Sequence, residues 1–223
     1  MSTAIIHRMR LYQQKHGTWA LFPRALRAMA SFVFEYRPVN LYAITAPPGT
    51  PAEARCPLDI RKGGPDDIER MVHLKAPIDP AEYRAGVEQA FAQGCELFLA
   101  LSQGRLAHRS WLFYPPRVLE TLVDLRLRPE QAHIGVCLTG ADFRGMNIYP
   151  VVLQHIVRFA FEKGFKAVFI AAAPSNVASN RGIQKAGFTF VKKVSGFVLL
   201  GKHWNHRWQA SAAGVGGGPA PAR

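Results

Sequence analysis

One segment of the 223-residue sequence joins several groups that attract anions: Phe143-Arg144-Gly145-Met146-Asn147-Ile148-Tyr149-Pro150. It follows a strand-like apolar run at 132–139. It opens a stretch whose apolar residues Val152, Ile156 and Ala160 recur at helical spacing. The first N–H groups of a helix have no internal partner, and the helix dipole adds partial positive charge there. Arg144 contributes a fixed cation, and Gly145 lets the backbone approach a ligand closely. Together they make a cradle for a phosphate or diphosphate. A second block, NVASNRGIQKAGF at 176–188, follows the next apolar run. Its Asn176 opens a short helix and Gly187 closes it.

The elements that must position these blocks are legible from periodicity and turn chemistry. LDIRK, 58–62, reads as a short strand. Gly63-Gly64-Pro65 turns the chain, and Asp66 and Asp67 fall in the first turn of a helix, where acids complement the dipole. A second helix covers 80–93 and ends at Gly94. ELFLALS, 96–102, is a buried strand, and Gln103-Gly104-Arg105 turns it into LAHRSWLFY, 106–114. AHIGVCLT, 132–139, is the strand before the Arg144 loop. The helix that follows runs over 148–163, with Pro150 tolerated in its first turn. KAVFIAAA, 166–173, is a further strand, and FTFVKKVSGFVLLG, 188–201, reads as a terminal strand pair. The order is mixed α/β, with one crossover between the strands at 132–139 and 166–173.

The two blocks, in this order and at this separation, resemble the GNAT superfamily of N-acyltransferases. That family's acyl-CoA loop reads Q/R-x-x-G-x-G/A, and its next block reads N-x-x-[AS]-x-x-x-Y-x-K-x-G-F. The likeness is clearest over 130–190 and extends to 57–201. It implies an α/β (α+β) fold with a mixed, mostly antiparallel central sheet, flanked by helices, in which the fourth and fifth strands splay apart. It places the family's domain at 57–209; composition sets apart a basic aromatic extension at 1–56 and, with no aromatic residue and little apolar surface to bury, a flexible tail at 210–223.

The resemblance further implies acetyl-CoA or another acyl-CoA as co-substrate, an amine-bearing acceptor and no metal. Arg144 stands at the Q/R of the loop. With the N–H groups of Gly145, Met146, Asn147 and Ile148 it is expected to hold the CoA diphosphate. Asn147 and Tyr149 stand where the family has small residues. Backbone N–H groups at Val136, Leu138 and Thr139 are expected to polarise the reacting carbonyl. Asn176 and Ser179 are expected along the pantetheine arm, and Lys185 in the closing K-x-G-F. Ile183 replaces the Tyr that serves many members as general acid, so no catalytic acid is carried over.

Acyl transfer to an amine needs a base, because the amine is protonated at neutral pH. His133, on the strand before the loop, is the first choice, ahead of Glu96 and Asp124. The alternative is a half-exposed histidine at a strand end. Cys137 lies among apolar neighbours with no base adjacent in sequence, and is expected to be an inert thiol.

Charge bounds the partners. The sequence has 28 Lys+Arg against 15 Asp+Glu, a net charge of +13. Between 143 and 209 lie ten basic residues and a single acid, Glu162. CoA carries about four negative charges, and such a field would steer it. No helix-turn-helix, zinc-finger or RNP signature appears, so the charge does not point to specific nucleic acid. Three cysteines without C-x-x-C spacing exclude a disulfide scaffold and point to a cytoplasmic, reduced protein. His203 and His206, an H-x-x-H pair without further ligands, make a poor metal site. Within 1–37, the stretch 24–34 has amphipathic character. It suits a packed helix, a homodimer contact or peripheral contact with an anionic membrane. A CoA-binding protein of the same fold without catalytic activity is the competing reading, favoured by Ile183 and by the non-glycine loop positions.

Overall fold

A computed structural model describes residues 34–72, 80–115, 125–199, 202–205 and 208–209. Residues 1–33, the whole tail at 210–223, His206 and Asp124 lie outside them. The strands are β1 (Phe34–Ile44), β2 (Asp59–Gly63), β3 (Glu96–Ser102), β4 (Arg105–Phe113), β5 (Leu125–Arg126), β6 (Gln131–Thr139), β7 (Ala167–Ala172), β8 (Thr189–Leu199), β9 (Lys202–Asn205) and β10 (Trp208–Gln209). The helices are α1 (Ile68–Val72), α2 (Pro80–Ala92), α3 (Ile148–Glu162) and α4 (Val177–Lys185), with short 3-10 turns at Pro65–Asp67 and Ala141–Phe143.

The larger of two compact units holds Pro38–Val194. Its strands run in the order β2-β3-β4-β6-β7-β1-β8. Neighbours from β2 to β6 are antiparallel, as are β7 and β1, whereas β6 and β7 are parallel. The sheet is therefore mixed and mostly antiparallel, with helices against it. In the smaller unit the end of β8 pairs antiparallel with β9, from Gly196↔Asn205 to Leu199↔Lys202. The expected strand pair over 188–201 is thus one long strand whose partner begins at Lys202. Gly196 sits inside the ladder, paired with Asn205.

β1 was missed in the sequence, as were the short strands β5, β9 and β10. It lies between β7 and β8, in register from Asn40↔Ala172 to Ile44↔Val168. Its Val39, Leu41, Tyr42 and Ala43 are all buried. A strand covered on both faces has no period-two alternation to betray it.

The main core lies between the sheet and α3. Val152, Leu153, Ile156, Val157 and Ala160 of α3 are wholly buried against Phe98, Leu112 and Ile134. On the other sheet face, Ile68 and Met71 of α1 and Val87 of α2 pack with Leu97, Leu99 and Trp111. Asp67 fastens that layer. It accepts two hydrogen bonds from Arg61, at 2.6 and 2.9 Å, and one from Gly64 N. Gln103 and Gly104 both have positive φ, which sets the tight β3–β4 hairpin. Among the described residues no helix is long and apolar enough to cross a membrane.

Candidate functional site

The parallel pairing of β6 with β7 is short. It runs from Gln131↔Ala167 to Ile134↔Ile170 and stops, although β6 continues to Thr139. Beyond that rung β6 is held by β4 alone, and the β4 register slips between Arg109 and Trp111. The slip is a bulge at Val136, which is 54% exposed and has φ +52. A β-branched residue in the left-handed region is strained. A bulge bends its strand and increases its twist. The two parallel strands therefore part just before the Arg144 loop.

That loop is fixed from several sides. Gly140 N donates to Ala107 O, and Arg105 Nη2 donates to Asp142 at 2.6 Å. The chain at 50–55 is laced to the start of α3. Arg55 N donates to Met146 O, Asn147 Nδ2 to Glu53 O, and Gln154 bonds both Ala52 N and Thr50 O. Asn147, at φ +58, occupies the N-cap position of α3, yet its side chain makes no cap. The first N–H groups of this 15-residue helix thus receive no acceptor from the N-cap side chain. Gly145 has φ +79, and a methyl group placed there would meet nothing within 4 Å.

A cleft of about 600 Å³ opens between this loop, the end of β6 and α4. Ten of the sequence-predicted residues line it. Leu138 and Thr139 come from β6, Arg144, Gly145, Asn147, Ile148 and Tyr149 from the loop and α3, and Asn176, Ser179 and Lys185 from α4 and its cap. Exposed Arg144, Arg181 and Lys185 edge it, and none of the described lining residues is acidic. The donor set and its charge fit a polyanion. Val136 is not a lining residue, because the bulge turns it outward. Met146 is not one either; its side chain packs on the main core.

His133 lies elsewhere. It is 3% exposed, neither ring nitrogen has a hydrogen-bond partner, and burial pushes its pKa down to about 3. It is a buried side chain rather than a half-exposed one, and it does not border the cleft. Glu96 is tied to Lys62 and Lys163. Ile183 is wholly buried in the main core, so position 183 presents nothing to the cleft.

The floor of the cleft was not foreseen. His108 is wholly buried. Its Nδ1 lies 2.7 Å from Thr139 Oγ1 and its Nε2 lies 2.8 Å from Ser110 Oγ. Burial lowers its pKa to about 3, aided by the Arg109 charge, so the ring is neutral. The Cys137 thiol bonds Ser110 and the Tyr149 hydroxyl, and burial raises the pKa of both Cys137 and Tyr149. A raised thiol pKa suits an inert thiol. The Tyr149 ring lies 5.5 Å from the His108 ring and rests on Gly182, where an added Cβ would come within 2.6 Å of Cδ1. Apart from Ser110, two residues along β4, these partners are distant in sequence; they meet through strand register and through the packing of α4 on α3.

α4 is also set by its own polar residues. Asn176 Oδ1 caps it by accepting from Ser179 N. Asn180 Nδ2 donates to Ala173 O and Asn176 O, while its Oδ1 accepts from Asn40 and Tyr42 of β1.

No protein-family model matches the chain, and no curated protein matches it in sequence. Solved structures do resemble it. A GNAT-family acetyltransferase from Colwellia psychrerythraea aligns with a TM-score of 0.56 at 18% identity, covering 83% of this chain and 62% of that one. A GCN5-related N-acetyltransferase from Sphaerobacter thermophilus aligns at 0.52 and 17%, covering 83% and 58%. A functionally unknown conserved protein from Staphylococcus epidermidis aligns at 0.51 and 11%, covering 77% and 64%. The chain thus spans about three fifths of the length of these proteins. With its mixed sheet, its parted parallel strands and these neighbours, the chain has the fold of the GNAT acetyltransferases.

Proposed function

We propose that the protein is an acyl-CoA-dependent N-acyltransferase that moves an acetyl or other acyl group directly from the thioester to an amine. The observation that carries this reading is the end of the β6–β7 pairing at Ile134↔Ile170, beside an uncapped helix start and Arg144 on one cleft. A bound acyl thioester would supply an activated carbonyl and a thiolate leaving group.

The chain's own groups account for the rest. Arg144, Arg181, Lys185 and the first N–H groups of α3 hold phosphate charge at the mouth. β6 beyond Ile134 has no β7 partner, so its N–H groups on that side are free to polarise a carbonyl. In the transfer the amine nitrogen forms a bond to the acyl carbon as the carbon–sulfur bond breaks. The amine proton passes to water, and the thiolate carries the electron pair away. Thiols have a modest pKa, so the thiolate can leave without a donor at position 183.

The buried Ile183 favours a second reading, a CoA-binding protein of this fold that does not turn over. Thiol release from acetyl-CoA across a panel of amines separates the two. Amine-dependent release supports the transferase. Tight CoA binding with no release on any amine supports the second reading.

A further inference from the structure

Arg109 of β4 carries a charge that no described carboxylate balances. The residue is 2% exposed. Its Nη1 donates to Val136 O at 3.2 Å, while its Nε is buried without a partner. No carboxylate pairs with it among the described residues. Its neighbour is Tyr83 of α2, whose ring centre lies 5.5 Å from the guanidinium carbon. The Tyr83 hydroxyl is itself buried and unpartnered. Burial lowers the Arg109 pKa, yet a guanidinium stays charged at any ordinary pH. Buried charges are normally paired, because removal from water is costly. The bulge carbonyl takes one of five N–H donors and no charge. Among the described residues no anion completes the set.

Position says which anion. Alternation along β4 puts His108 and Ser110 on the cleft side, and Arg109 with Trp111 on the face covered by α1 and α2. The register partner of Arg109 is Leu138, which lines the cleft. Arg109 therefore lies behind the stretch of β6 that bounds the cleft, where β7 no longer covers that strand.

We infer that Arg109 and the Tyr83 hydroxyl form an anion subsite for the acceptor, and that the acceptor is a free amino acid held by its carboxylate. This rests on the transferase reading above. A guanidinium binds a carboxylate through two parallel hydrogen bonds, and a phenol adds a neutral donor. The guanidinium is bonded to Val136 O, at the start of the segment expected to polarise the reacting carbonyl. Anion and amine must then be only a few bonds apart. An α-amino acid meets that condition. A polyamine has no anion, a neutral amino sugar has none, and the terminal amine of a protein lies beside an amide.

The test compares free amino acids with their amides and with the amines left by removing the carboxyl group. Thiol release from acetyl-CoA is measured on the native protein. The expected result is a preference of about 100-fold in kcat/KM for the free acid. Arg109→Gln is expected to raise the acceptor KM by a similar factor, with acetyl-CoA affinity by calorimetry within about twofold of native. Equal use of acids, amides and decarboxylated amines overturns the subsite, as does turnover of no amino acid in the panel. An Arg109→Gln variant that shifts the melting temperature but not the acceptor preference assigns Arg109 to structure and also overturns it. The series on native protein needs no variant to fold. Loss of calorimetric acetyl-CoA binding in the native protein would instead sink the transferase reading, which keeps the two failures apart.

Discussion

Tyr149 and Gly182 fit each other, and neither could change alone. Where the family's loop motif has a small residue the chain has Tyr149, and α4 offers the one residue type that leaves room for the ring. Gly182→Ala would drive a methyl into Cδ1, and overpacking of this kind costs about 1–3 kcal/mol. We expect that loss in urea denaturation, accompanied by weaker acetyl-CoA binding. Tyr149→Ala in the same chain should restore part of the stability, because the two residues share one space. At this scale the sequence was informative where chemistry is local. Arg144, Gly145 and Asn176 stand in loops and caps whose roles follow from neighbouring residues. His108 and Tyr149 were not legible: Ser110 is near His108 in sequence, but Thr139 reaches it only by strand pairing, and Gly182 reaches Tyr149 only by the packing of α4 on α3.

Two elements hold the cleft open, and each makes a prediction. α4 is moored to β1 and to its own N-terminus through Asn180, a side chain with four hydrogen bonds. Asn180→Ala strands the Tyr42 hydroxyl and two carbonyls, and should cost about 2–3 kcal/mol by urea denaturation. The β6 bulge forces Val136 to positive φ, a conformation that glycine adopts freely. Val136→Gly should therefore be neutral or stabilising by about 1 kcal/mol, whereas at an ordinary strand position it would destabilise. A clear loss on that substitution would mean that the bulge is not strained. Most strands and helices could be placed within one or two residues from sequence, because half-buried elements advertise their period. β1, the single strand β8 and the short strands β5, β9 and β10 could not. β1 is apolar on both faces, and β8 carries Gly196 in mid-strand, where glycine usually marks a break.

Across the whole molecule, burial of histidines sets the response to acid. His108 and His133 both titrate near 3 when folded, against about 6.5 when unfolded. Below pH 6.5 the unfolded chain binds protons that the folded chain refuses. Their contribution is complete above that pH and is lost progressively towards pH 3. Lowering the pH from 7 to 5 should remove about 2 kcal/mol for each histidine, and His133→Leu should remove its share of the dependence. Urea denaturation at the two pH values checks both. The net charge of +13 acts at the same scale and, on the proposed reading, would steer a polyanion towards the cleft edged by Arg144, Arg181 and Lys185. The most direct test of the account is calorimetric titration with acetyl-CoA, of the native protein and of Arg144→Glu, at low and high salt. We predict saturable binding by the native protein that weakens as salt rises and falls by at least about 30-fold in the variant. Absence of binding, or equal affinity in the variant, would contradict the assignment of this cleft to a CoA thioester.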